Sequence, residues 1–213
     1  GQSKERSLYF LEIHKNTDEQ HPVNTVEILR KLENKCLVAE RKSIAWDISV
    51  LREAGYSIIS CDELKKGFYM TDQPFEDYEL KMLADAIAGA KFLTEQDTEN
   101  LLEKLTQLAT PTGEEILKEQ TIIDPEIKTD NRTVRYNIDK IITAIKQRRR
   151  ILFRYYERTE EGSLKFKRNG HIYEISPYYL VWSEDEYYLI GNSKSHDHLT
   201  HFHLFFMPDF ARP

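Results

Sequence analysis

Three apolar residues, Ile44, Ile48 and Leu51, recur at helical spacing, end at Ala54-Gly55, and give way to two short β-prone runs, 56–61 and 67–71, around a polar loop, 62–66. Steps of four and then three residues put the stripe on one face of a helix over 40–54. Gly55 has no Cβ and lets the chain turn where that helix must stop. Two more helices are expected upstream. Residues 4–15 carry Leu8, Phe10, Leu11 and Ile13 among polar positions, and His21-Pro22 breaks that pattern. Asn24 then precedes Thr25, Val26 and Glu27, so its side chain can cap a helix running to about residue 34 while Glu27 reaches back to the cap amide. Three helices and a hairpin predict a winged helix-turn-helix over 1–73.

In that arrangement the third helix enters the major groove of duplex DNA, with side chains near its start against base edges and phosphates and the wing against the flanking backbone. Arg41, Lys42, Ser43, Trp46 and Ser49 lie at the helix start or away from the apolar stripe, and Lys65 and Lys66 sit in the wing loop. These seven are the candidate DNA-binding residues. Trp46 fits a thymine methyl, a sugar, or the side of a neighbouring helix. Asp47 reads as a tether to Arg41 or a neighbouring element, because a carboxylate beside phosphate is unfavourable. The competing reading is a protein-docking adaptor whose winged helix binds a partner protein instead of DNA.

A net charge of −6 argues against a DNA binder until it is divided along the chain. Residues 1–73 hold 11 Lys/Arg and 12 Asp/Glu, 74–133 hold 6 and 14, and 134–213 hold 13 and 10. The acid is concentrated in the middle, which leaves both ends free to present local basic patches. That middle, 74–136, reads as a helical linker. Leu80, Leu83, Ala84 and Ile87 share one helical face, and Leu101, Leu105 and Leu108 share another after Thr94, with Asp97 completing a second capping box. Pro111-Thr112-Gly113 breaks the pattern, and 114–136 reads as a poorly patterned connector. An acidic, amphipathic linker without a catalytic grouping suits packing or the interface of a homodimer.

Over 137–146 Ile138, Ile141, Ile142 and Ile145 face inward on a helix, and Arg148-Arg149-Arg150 follows. β signals then occupy 151–156, 164–168, 170–176, 179–183, 187–191 and 199–206. Short strands and tight turns predict a small SH3-like or Sm-like β-barrel over 137–213, and an α+β fold for the whole chain. Arg154, Lys165, Lys167 and Arg168 lie among strands rich in tyrosine. A basic groove lined with aromatics suits an anionic ligand such as single-stranded nucleic acid or a nucleotide. The expected ligand-facing set is Tyr155, Arg168, Ser176, Tyr187, His201 and His203. Its histidines should hold an anion better below about pH 6.5, when charged.

His196, His198, His201 and His203 lack a carboxylate or cysteine spaced to complete a metal site, and Cys36 and Cys61 read as reduced structural thiols. No Ser/His/Asp, paired-carboxylate or phosphate-loop grouping stands out, so neither an enzyme nor a cofactor is expected. With no run of about 18 apolar residues and a charged start at residues 1–6, a cytoplasmic protein without membrane contact is expected.

Two stretches carry a family resemblance. The run Arg41-Lys42-Ser43-Ile44-Ala45-Trp46-Asp47-Ile48, with Leu51, Gly55 and Gly67-Phe68-Tyr69, resembles the recognition helix and wing of winged-helix regulators that bear a C-terminal WYL domain. Ala39 stands where that family has a capping Ser, and Ala45 and Trp46 replace positions that are often basic. Farther on, Ile151 to Tyr156, Ile175 to Trp182, Glu186 to Gly191 and His201-Phe202-His203-Leu204 are similar to a WYL domain in order and spacing, with Tyr187-Tyr188-Leu189 at the naming motif. The resemblance implies a cytoplasmic, dimeric transcription regulator that senses a ligand. The family commonly has Arg at the place of His203, and 205–213 does not resemble its continuation, so the chain looks truncated or divergent there.

Overall fold

The computed structural model describes residues 2–61, 66–193 and 198–208. The chain divides into two compact units, one of residues 1–87 with 101–122 and one of 88–100 with 123–213.

The first unit opens with α1 (Gln2–Lys15), α2 (Thr25–Asn34) and α3 (Arg41–Glu53), followed by an antiparallel pair, β1 (Ile58–Ser60) and β2 (Phe68–Met70). The expected capping box is formed in full, with Asn24 Oδ1 accepting from the Glu27 amide and Glu27 Oε2 from the Asn24 amide, both at 3.0 Å. Phe10, Ile28, Leu32, Ile44, Ile48, Ile58 and Met70 pack into one core, so helix stripes and hairpin are buried together. One pairing had no sequence signal: Val23 and Phe68 exchange backbone bonds of 2.9 and 2.8 Å. Gly67 permits it, because a Cβ there would lie 2.8 Å from the Val23 carbonyl oxygen.

α4 (Asp77–Gly89) and α5 (Glu95–Thr106) follow the expected faces. Thr94 caps α5 through the Asp97 amide at 3.1 Å, but the reciprocal half of that box is not made, because the Asp97 carboxylate accepts from Arg135 instead. Pro111-Thr112-Gly113 does not open a connector; it starts α6 (Pro111–Gln120), with the Thr110 hydroxyl accepting from the Gly113 amide and Pro111 in the first turn. Leu117 of α6 packs with Leu80 and Ala84 of α4 in a second small core. Asp18 binds the Thr112 amide at 2.7 Å. Burial works to raise the Asp18 pKa, but bonds from Thr112 and His21 outweigh it and hold the carboxyl below its ordinary value.

In the second unit α7 (Thr133–Gln147) begins before the expected start and lies with Val134, Ile141 and Ala144 against a four-stranded antiparallel sheet in the order β3 (Ile151–Phe153), β6 (Tyr173–Ser183), β7 (Glu186–Ser193), β8 (Leu199–His203). One helix on one sheet face makes the core, which includes Phe153, Ile175, Leu189, Phe202 and Leu204. The expected closed barrel is absent among the described residues. β3 ends at Phe153, and the next strands, β4 (Tyr156–Arg158) and β5 (Leu164–Phe166), pair only with each other, so β3 and β8 remain edges of an open sheet. The two runs expected at 170–176 and 179–183 are one strand, β6, with an irregularity between Pro177 and Tyr179. Gly191 sits opposite Pro177, where a Cβ would come within 2.6 Å of the Ser176 carbonyl oxygen.

Candidate functional site

Two surfaces gather the chemistry expected from the sequence. On α3, burial of Ile44, Ile48 and Leu51 turns Arg41, Lys42, Ala45 and Trp46 outward, and Trp46 is 65% exposed. Ser43 and Ser49 are half-buried and spend their hydroxyls on the helix itself, donating to the Glu40 and Trp46 carbonyls at 2.8 and 2.7 Å. The cap position is Glu40 rather than Ala39, and its side chain makes no cap bond. The first-turn N–H groups therefore lack a side-chain acceptor beside two cations, which leaves the positive end of the helix dipole open to an anion. Asp47 does not pair with Arg41; it is buried and accepts from Arg6 Nη2 at 3.1 Å, which ties α3 to α1. Lys66 is exposed, and Lys65 lies outside the described residues.

The second surface is a cleft of about 510 Å³ that brings together Tyr155, Arg168, His201 and His203 of the expected set. The short turn Lys167–Gly170 brings Lys167 and Arg168 to it. Arg168 and Asn169 have φ of +51° and +53°, and Gly170 has +80°. A left-handed conformation costs a residue with a Cβ about 1–2 kcal/mol, so the neighbours must hold this turn. The Lys167 amide does so by donating to the Tyr155 carbonyl at 2.8 Å. Glu174 is the one carboxylate among the described lining residues, and Arg150 pairs with it at 2.9 Å.

Tyr155 and His203 are locked to each other. The His203 amide donates to Tyr155 Oη at 3.0 Å, and burial raises the phenol pKa although that bond opposes it. His203 Nδ1 accepts from the Phe205 amide at 3.2 Å, so the ring proton belongs on Nε2, 3.8 Å from Glu186. Burial lowers the His203 pKa and Glu186 only partly offsets it. The expectation that His203 gains charge near pH 6.5 is therefore corrected: its charge requires more acid. His196 lies outside the described residues, and no group of three or more His, Cys, Asp or Glu among those described is placed to hold a metal ion.

Residues 136–210 match the family model of the WYL domain. A WYL domain is present there. Among solved structures, proteasome accessory factor B/C (PafBC) of Arthrobacter aurescens matches at 14% identity and a TM-score of 0.30, over 97% of this chain and 32% of that one. The chain thus spans about a third of that protein's length. No curated protein matches.

Within the WYL domain two of the expected ligand residues lie off the cleft. Ser176 is paired with Asn192 inside the β6–β7 ladder. Tyr187 packs edge-on against Phe92 and Trp182, with ring centroids 5.1 and 4.9 Å away. Its neighbour Tyr188, which was not among the expected ligand residues, lines the cleft instead, 4.9 Å from the His203 ring. Lys167, His171, Tyr173 and Thr200 also line it and were missed as ligand-facing residues. For Lys167 the signal was its place beside Arg168; His171 follows the same turn, and for Tyr173 and Thr200 only the strand register decides.

Proposed function

We propose that the protein is a DNA-binding transcription regulator in which α1–α3 and the β1–β2 hairpin act as a winged helix-turn-helix, and the WYL domain senses an anionic ligand such as single-stranded nucleic acid or a nucleotide. The observation that carries this reading is the outward face of α3, where Arg41, Lys42 and Trp46 stand exposed beside an uncapped helix start while Asp47 is withdrawn into a pair with Arg6. Cations and free N–H groups take phosphate, and the exposed indole takes a base edge or sugar. In the cleft, Lys167 and Arg168 beside Tyr155, Tyr173 and Tyr188 offer charge and stacking surface to a phosphate-bearing ligand. Such a ligand shifts the regulator only by its difference in affinity for the two states. The protein works as a cytoplasmic homodimer that reads two half-sites; a monomer mass by light scattering at micromolar concentration counts against the pairing.

The test is duplex binding across salt. Lys42→Ala should weaken every sequence alike and reduce the slope of log K against log salt by about 1. Absence of binding to a promoter library at low salt overturns the reading. Exposure of Trp46 also fits docking on a partner protein, in which case partner binding should show little of that salt dependence.

A further inference from the structure

The end of α7 carries a cationic cluster that neither surface above uses. Lys146, Arg148, Arg149 and Arg150 fall within five residues, all exposed, in a chain whose net charge is −6. Arg150 is neutralised by Glu174 at 2.9 Å. Lys146, Arg148 and Arg149 have no acidic partner among the described residues, and none of them lines the cleft. Helix capping does not account for them. The Ala144 and Ile145 carbonyls are taken by backbone amides, Arg149 to Ala144 at 2.9 Å and Arg148 to Ile145 at 3.1 Å, so no side chain is needed there. The residue that makes this helix ending is Arg148, at φ +52° and ψ +39°, a conformation where glycine costs least and any Cβ is disfavoured. Keeping an arginine in that position points to a use for its side chain.

We infer that Lys146, Arg148 and Arg149 form a second phosphate-contact surface, in the WYL-bearing unit, for the backbone of duplex DNA. The inference rests on the DNA-binding reading above. The chemistry selects the partner. Residues 144–150 contain no aromatic ring on which an unpaired base could stack and no amide pair to read a base edge beyond Gln147. Free cations without stacking groups suit a duplex, which presents its phosphates outward and is held there without regard to sequence.

The experiment uses the full chain, a labelled duplex of about 30 bp and salt from about 50 to about 300 mM, the range in which counterion release governs affinity. Arg148→Gly relieves the left-handed arginine, so its thermal stability should equal or exceed that of the parent, yet its salt slope should fall by about 0.9; the Arg148→Gly/Arg149→Gln variant should lose about 1.8. Affinity should fall equally for unrelated duplexes, and binding of thymidine 5′-monophosphate, the probe for the cleft, should not change. Unchanged slopes in both variants, with Lys42→Ala still lowering its own, overturn this surface and leave the α3 reading intact. A loss confined to single-stranded oligonucleotides overturns the choice of duplex. Absence of duplex binding by the parent protein overturns both.

Discussion

Breaking the Arg6–Asp47 pair should loosen α3 far more than removing any exposed cation on that helix. Asp47 is 5% exposed, and the two side chains make a single bond of 3.1 Å that leaves Asp47 Oδ2 and Arg6 Nε buried without a partner among the described residues. Removing one member of a buried pair costs about 3–5 kcal/mol because the other is left uncompensated. The Arg6 side chain is 21% exposed and is partly rescued by water, so Asp47→Ala should cost about 3 kcal/mol, the low end of that range. Replacing both groups by apolar ones of similar size is close to neutral, or gains up to about 4 kcal/mol. The Arg6→Met/Asp47→Leu variant should therefore stay close to the parent while Arg6→Met and Asp47→Leu alone each strand the other group, so the coupling in that cycle should be at least about 3 kcal/mol. Urea unfolding followed by amide exchange on α1 and α3 measures all four corners. DNA affinity should fall in Asp47→Ala and return in the double variant. A single-variant cost below about 0.5 kcal/mol, the size of an ordinary surface change, or a coupling near zero, refutes the tether.

The remaining predictions concern single groups. His14 is fully buried, donates from Nδ1 to the Phe10 carbonyl at 2.8 Å and has no partner for Nε2 among the described residues. Burial lowers its pKa below 6.5, with the Phe10 bond opposing and Lys31 reinforcing. The unfolded chain then takes the proton more readily than the folded one, so this contribution is complete above pH ~6.5 and is lost as the pH falls below it; urea midpoints should show that decline and His14→Phe should make it shallower, leaving the part that His203, whose pKa burial also lowers, contributes. Gly67→Ala drives a Cβ against the Val23 carbonyl and should cost about 1–3 kcal/mol in thermal melts, the range of an overpacked site; an unchanged melt refutes the close approach. Tyr155→Phe strips the His203 amide of its acceptor, which should cost about 1 kcal/mol, the low end for a partly buried group, and raise hydrogen exchange at that amide.

The local features of the fold were the legible ones. Asn24 with Glu27, and the Ile44, Ile48, Leu51 stripe, each act within a few residues, and both stand as the spacing implies. α6 was also written locally, in Thr110-Pro111, but Pro and Gly within three residues read as a break although the same residues serve a helix start. Features made by distant partners left no such mark. The Val23–Phe68 bridge depends on Gly67, the Arg6–Asp47 pair joins residues 41 apart, and β4 and β5 leave the sheet because they pair with each other. Alternating strands specify two faces, but barrel closure is a matter of which edges meet, and β3 and β8 do not.

The cleft shows why its composition was easier to read than its membership. Alternation along β7 separates Tyr187 from Tyr188 but cannot say which of them faces the cleft, and a slip of one residue exchanges the faces. Leu189 decides it by taking the core position, fully buried, opposite Phe202 and Leu180. Tyr187 then goes with Phe92 and Trp182, and Tyr188 goes with His203. The same folding removes His203 as a ready cation, since its Nδ1 is spent on the Phe205 amide and burial lowers its pKa. The lysine and arginine cations among the described lining residues are Lys167 and Arg168, carried on a turn in which Arg168 itself is left-handed. The anion recognition proposed for the cleft therefore rests on the Lys167–Gly170 turn, with β8 as the wall against which the aromatic rings are set.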